Sequence, residues 1–238
     1  MRVESVAKVR AIHKILLKTY GEPEHSPLDA VSELICTILS QNTNDNNRDR
    51  AYTALRAKFP TWEQVRDTPT KQVIAAIRPA GLANQKGPRI QKVLRRITEL
   101  NPGQPLNIDF LADLPVDEAK LWLTSLKGVG PKTAAIVLLF SLNRPAFPVD
   151  THVHRVTTRL GLIPDGTTAE KAHDLLEALV PPEGYYAFHL NVIAHGRAVC
   201  KAQRPRCETC PLQKHCDYFT QRPSESTLSW YHLNNSRD

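Results

Sequence analysis

Lys132 and Asp150 bring an amine and a carboxylate into one short stretch of sequence, a pairing suited to covalent catalysis. Lys132 ends the run Leu-Lys-Gly-Val-Gly-Pro-Lys that begins at Leu126, and Asp150 follows 18 residues later in Pro-Val-Asp-Thr-His. A lysine that loses its proton, through burial and nearby positive charge, is an amine nucleophile able to form a Schiff base. A carboxylate working with it stabilises positive charge as it develops on a substrate. Taken singly, Lys132 reads as a solvated surface lysine, and Asp150 as the N-cap of a helix over 151–160. The turn before the lysine changes that balance. Gly128 and Gly130 are read as positions of positive φ or close backbone approach, and Pro131 suits a first helical turn because its missing N–H would be unpaired there anyway. A helix is therefore predicted from Pro131. Its free amides and positive dipole end face whatever approaches Gly128, Val129 and Gly130, which is how a backbone holds a phosphate without reading sequence.

A second cluster lies near the carboxy terminus. Four of the five cysteines fall at Cys200, Cys207, Cys210 and Cys216, a C-x6-C-x2-C-x5-C spacing within 17 residues. Such density calls for a metal centre, since a disulfide pair is disfavoured without secretion. Zinc usually draws on two separated Cys or His pairs, whereas a tight four-thiolate loop suits an iron–sulfur cluster. A zinc-bound structural module stays as an alternative, distinguished by colour. Between the first two cysteines, Lys-Ala-Gln-Arg-Pro-Arg holds Lys201, Arg204 and Arg206 and no anion. Ligating both ends would pin a basic finger where it can meet phosphates. Cys36 stands apart on an apolar helix face and is read as a core residue.

The elements that must position these groups are helical. Val31, Leu34, Ile35 and Ile38 repeat on one face after Ser26-Pro27, read as cap and first turn; Ile90, Val93, Leu94 and Ile97 repeat the pattern. Ala172, Leu175, Leu176 and Leu179 do so again after a candidate cap at Thr168. Period-two strand patterns are missing, so the predicted fold is all-α, with about ten helices punctuated by Pro and Gly. The 238 residues are 41% hydrophobic, enough for one or two cored domains, and no run of 18 apolar residues exists to cross a membrane. Lys and Arg number 31 against 24 Asp and Glu, a formal charge of +7 that makes nucleic acid the natural polyanionic partner. The amino terminus has no apolar block with a cleavage site, which points to a cytoplasmic, nucleoid-associated protein if prokaryotic, or an organellar or nuclear one. After Phe219 the chain turns polar and is expected to be a mobile tail, with Trp230 and Tyr231 available to dock it.

From Ser26 to Phe219 the sequence resembles the endonuclease III family of base-excision glycosylases. The family hairpin reads Leu-Pro-Gly-Val-Gly-x-Lys-Thr-Ala, followed at the same separation by Val-Asp-Thr-His, and its cluster loop has the cysteine spacing found here, preceded by His-Gly-Arg as in His195-Gly196-Arg197. The resemblance implies two helical lobes: a six-helix barrel over 24–144 bearing the helix-hairpin-helix, and a lobe of 1–23 with 145–216 carrying a [4Fe-4S] cluster. A polar tail over 217–238 would follow. Damaged double-stranded DNA would lie in the groove between the lobes, with Lys132 and Asp150 on opposite walls.

An enzyme acting on a damaged base must extrude the nucleotide and fill the gap. By the same resemblance, Gln41 and Asn42 in Ser-Gln-Asn-Thr, and Leu82 in Gly-Leu-Ala-Asn-Gln-Lys, do the filling. Asn42 stands where the family commonly has Gln, which bears on opposite-base preference, and Leu82 is alternatively a loop residue packed on the core. His152 is a DNA-contact candidate or an ordinary helix residue; His154 and Lys127 depart from the family pattern. A hairpin lysine implies a bifunctional glycosylase and abasic-site lyase acting on oxidised pyrimidines. Relatives that excise adenine from mispairs lack that lysine and carry an extra carboxy-terminal domain, for which 22 residues after Cys216 give no room. One continuous DNA groove needs only a monomer. The competing expectation is a paralogue that binds damaged DNA with little turnover.

Overall fold

The computed structural model describes residues 3–221; Trp230, Tyr231 and the polar sequence from 222 onward lie outside the described residues. In chain order the α-helices are α1 (Val3–Tyr20), α2 (Ala30–Ser40), α3 (Asp45–Lys58), α4 (Trp62–Asp67), α5 (Thr70–Ala76), α6 (Ala83–Leu100), α7 (Val116–Thr124), α8 (Pro131–Ile136), α9 (Thr151–Arg159), α10 (Ala169–Leu179), α11 (Tyr185–Ala198) and α12 (Asp217–Thr220). No strand occurs among the described residues. The described residues form two compact units, one of 24–148 and one of 3–23 with 149–221. No helix among the described residues is long and apolar enough to cross a membrane.

The 24–148 unit is built around α2 and α6. Val31, Leu34, Ile35 and Ile38 of α2, and Ile90, Val93, Leu94 and Ile97 of α6, are all buried in one hydrophobic cluster. The helical stripes read from the sequence are therefore the core faces. The start of α2 differs from expectation. Asp29, not Ser26, is the N-cap, because its carboxylate accepts from Ser32 N at 2.8 Å, and Pro27 lies outside the helix. Thr68-Pro69 divides α4 from α5: a proline holds the preceding residue extended, and Thr68 sits at φ −68, ψ 155. Cys36 lies at the edge of the core rather than inside it; burial still pushes its thiol up to about 11.

In the other unit α1 and α9 both pack on α11. The amino-terminal helix is tied in by Asn191 Nδ2, which donates to Gly21 O at 3.0 Å, and by Lys8 Nζ, which donates to Asp217 at 2.7 Å. Residues 217–220, expected to begin the tail, thus form α12 of this unit. Thr168 caps α10 as read, accepting from Lys171 N, but Leu175 is exposed; the buried face runs through Ala172, His173, Leu176 and Leu179. Ala172, Leu176 and Leu179 stay on the buried face, and His173 rather than Leu175 forms its edge.

Candidate functional site

Lys132 occupies the second position of α8. Pro131 is the first residue of that helix, as its missing N–H predicts, and the N-cap is Gly130, which supplies no side-chain cap. No side chain among the described residues caps the amides at this helix start. Lys132 is half-buried, and among the described residues its ammonium has no ion pair or hydrogen bond.

The two hairpin glycines have different reasons. Gly128 has φ +92, a conformation that disfavours any other residue, and a Cβ there would stand 2.8 Å from Arg89 Cδ and displace that side chain. Gly130 is extended at φ −99, ψ 177, with open space around it; the expected positive φ is not needed there. Val129 points inward, 5% exposed, and its amide donates to Leu126 O at 2.9 Å. It anchors the turn to the core, so neither its side chain nor its N–H faces an incoming phosphate.

The residues expected to fill a gap are presented by strained backbone in the same unit. Asn42 is exposed at φ 53, and Leu82, 46% exposed, holds the left-handed conformation φ 49, ψ 30 at the N-cap of α6. Leu82 therefore does not pack on the core. Holding a non-glycine residue there costs roughly 1–3 kcal/mol unless the surroundings enforce it, a pattern found at functional positions. Gln41 is engaged: its Oε1 accepts from Arg89 Nη1 at 2.7 Å.

Asp150 is the N-cap of α9. Its Oδ1 accepts from Val153 N at 2.7 Å, which places a carboxylate at the positive end of that helix. His152, in the first turn, lies with Nδ1 3.1 Å from Arg155 Nη2. His154 is spent structurally, its Nε2 2.7 Å from Thr167 O. Gly196 explains the His-Gly-Arg run, because a Cβ there would press within 3.1 Å of His152 and 3.2 Å of Arg155 where α9 meets α11.

The cysteine loop is braced by arginines that the sequence did not single out. Arg155 donates to Gly196 O and Cys200 O at 3.0 Å each. Arg159 donates to Lys201 O at 2.7 Å, to Ala202 O at 3.0 Å and to Cys200 Sγ at 3.4 Å. Their spacing of four places both on one face of α9, the one signal available beforehand. With its backbone held, the loop leaves Lys201, Arg204 and Arg206 exposed. All four cysteines are free and line one cavity. Cys210 Sγ lies 3.5 Å from His195 Nε2, and burial pushes its thiol up to about 11. Burial holds His195 down at about 4, and its Nδ1 meets the Tyr20 hydroxyl at 3.0 Å. Among the described residues no three metal-ligating side chains converge tightly enough for a single ion. Four sulfurs around one cavity, with the Arg159 guanidinium donating to Cys200 Sγ, fit a thiolate-bound group such as an iron–sulfur cluster.

An all-helical chain with a Gly-Val-Gly turn opening onto a lysine-bearing helix, and a separate four-cysteine loop, has the design of a helix-hairpin-helix repair protein with an iron–sulfur module. Comparison with known proteins agrees. Residues 35–182 match the HhH-GPD superfamily base excision DNA repair protein, and residues 200–216 match the iron–sulfur binding domain of endonuclease III. The chain is 36% identical over 199 residues to the putative DNA glycosylase At3g47830 of Arabidopsis thaliana, a match covering 79% of this chain and 66% of that protein. It is 33% identical over 199 residues to endonuclease III of Thermotoga maritima, covering 83% of this chain and 87% of that relative. Among solved structures, a trapped endonuclease III–DNA covalent intermediate in an estranged-adenine complex is similar with a TM-score of 0.77 and 28% identity, covering 91% of this chain and 98% of that one. The chain belongs to the endonuclease III family of base-excision DNA glycosylases.

Proposed function

We propose that this protein is a bifunctional glycosylase and abasic-site lyase that removes oxidised pyrimidines, such as thymine glycol, from double-stranded DNA. The observation that carries the reading is Lys132, an unpaired amine among the described residues, at a glycine-opened helix start with no side-chain cap. The uncapped amides and Gly130 hold a backbone phosphate beside the lesion. Asn42 and Leu82, with Gln41 behind them, fill the space of the extruded nucleotide. His152, Lys201, Arg204 and Arg206 supply further phosphate contacts, and one monomer suffices.

In the chemical step the Lys132 amine attacks C1′ of the damaged nucleotide. The base leaves with the electrons of its glycosidic bond and takes up a proton, and the sugar ring opens as the Schiff base forms. Loss of a proton from C2′ then breaks the 3′ C–O bond, releasing the downstream strand with a 5′ phosphate. Water hydrolyses the imine and returns the lysine. Asp150 stabilises the oxocarbenium-like charge and assists proton transfer.

The four cysteines would hold a [4Fe-4S] cluster, which when bound supplies iron–thiolate bonds that staple the basic finger. Purified protein should be yellow-brown and absorb near about 400 nm, and Cys210→Ser should lose that band. A colourless protein with one bound zinc would favour the structural zinc module. The activity is tested by multiple turnover on a thymine-glycol duplex: each strand cut should bear a 3′ unsaturated aldehyde. Tight binding to damaged duplex without turnover would instead establish a damaged-DNA-binding paralogue.

A further inference from the structure

We infer that Lys86 and Arg89, one turn apart on α6, are positioning residues that hold the Asn42 and Leu82 segments and the hairpin in register, and so set which side chain meets the base opposite the lesion. This rests on the glycosylase reading above. Lys86 is among the largest fully buried side chains of the described residues, 2% exposed, an unusual place for an ammonium. Its Nζ donates to Leu39 O and to Ala80 O, each at 2.8 Å. Burying a cation is costly unless it is hydrogen-bonded, so these two carbonyls define its role. Burial, with Arg89 nearby, holds its pKa below the usual lysine value, as expected of a cation compensated by dipoles rather than by a carboxylate.

The carbonyls have one property in common. Leu39 lies in the last turn of α2, where carbonyls lack helical partners and the dipole end is negative, three residues before Asn42. Ala80 stands two residues before Leu82, in the turn that leads into α6. One ammonium therefore ties down the approach to both left-handed residues. Strained conformations persist only where surrounding structure over-determines them, and Lys86 supplies that constraint for both at once.

Arg89 extends the brace to the hairpin. Its guanidinium donates to Gln41 Oε1 at 2.7 Å, while its aliphatic stem covers Gly128 so closely that a Cβ would meet it at 2.8 Å. Gln41 is thereby held back by its amide oxygen. Asn42, exposed and next in sequence, is the side chain left to face an orphaned base.

The test uses the full chain, Arg89→Met and Lys86→Met, with duplexes carrying a tetrahydrofuran abasic analogue opposite 2-aminopurine, and excision rates opposite each of the four bases. Wild type should prefer the analogue duplex over undamaged DNA and change the 2-aminopurine fluorescence on binding. Arg89→Met, which keeps the stem over Gly128, should melt within a few degrees of wild type yet change the ratio of rates between opposing bases by about tenfold, the scale of one charged hydrogen bond. Lys86→Met, if folded by circular dichroism, should diminish the fluorescence change and lower kcat more than it raises KM. Unaltered fluorescence and opposite-base ratios in Arg89→Met overturn the inference while the function stands. A wild type with no preference for the analogue duplex overturns the function and this inference together.

Discussion

Two helix starts in this protein solve the same problem in opposite ways. At α9 the carboxylate of Asp150 takes the Val153 amide, so the helix satisfies itself. At α8 the cap is Gly130, which has no side chain, and no side-chain cap closes the helix start. A capped start anchors a charged group; an uncapped one is a binding surface. Each helix start carries one member of the lysine–aspartate pair, and each uses its cap to a different end.

The comparison can be broken most severely at the lysine. Lys132→Gln keeps the helix start and its open amides, so it should abolish strand cleavage on an abasic duplex while leaving affinity for that duplex nearly unchanged, as read by gel shift. Next in size is Asp150→Asn. Asparagine caps a helix about as well as aspartate, so the melting temperature should hold, while base excision falls about 100-fold with the loss of charge stabilisation. Gly130→Asp would make the open start resemble the closed one. Its φ of −99 and empty surroundings accept a side chain. The variant should melt higher than wild type and bind duplex about tenfold more weakly, as a cap carboxylate competes with phosphate for the amides. The smallest difference is that between the two Asp150 variants: Asp150→Ala should lose the same activity as Asp150→Asn and, having no cap, about 1 kcal/mol of stability more, read from urea midpoints.

These contrasts were partly legible in the sequence. Pro131 marked the start of α8 because the residue itself carries the constraint, and the stripes on α2 and α6 marked core faces because a 3.6-residue period has few other meanings. The cysteine spacing marked the loop for the same local reason. The start of α2 is not legible in sequence, since Ser26 and Asp29 are both good caps and only the position of Ser32 N decides between them. Gly130 was read like Gly128, though only one of them needs a left-handed backbone. Lys86, Arg89, Arg155 and Arg159 carry no sequence signal of their contacts because their partners lie far away in the chain: Leu39 for Lys86, Gln41 for Arg89, Cys200 for both Arg155 and Arg159. A long cationic side chain on a helix looks solvent-bound until the fold brings a carbonyl to it.

The central claim is that the open helix start presents Lys132 as a nucleophile. The direct measurement is borohydride trapping of wild-type and Lys132→Gln protein on a thymine-glycol duplex and on a duplex with a preformed abasic site. Covalent complexes from wild type on both duplexes, and from the variant on neither, are the predicted result. Trapping that survives in Lys132→Gln would place the nucleophile elsewhere and contradict the account.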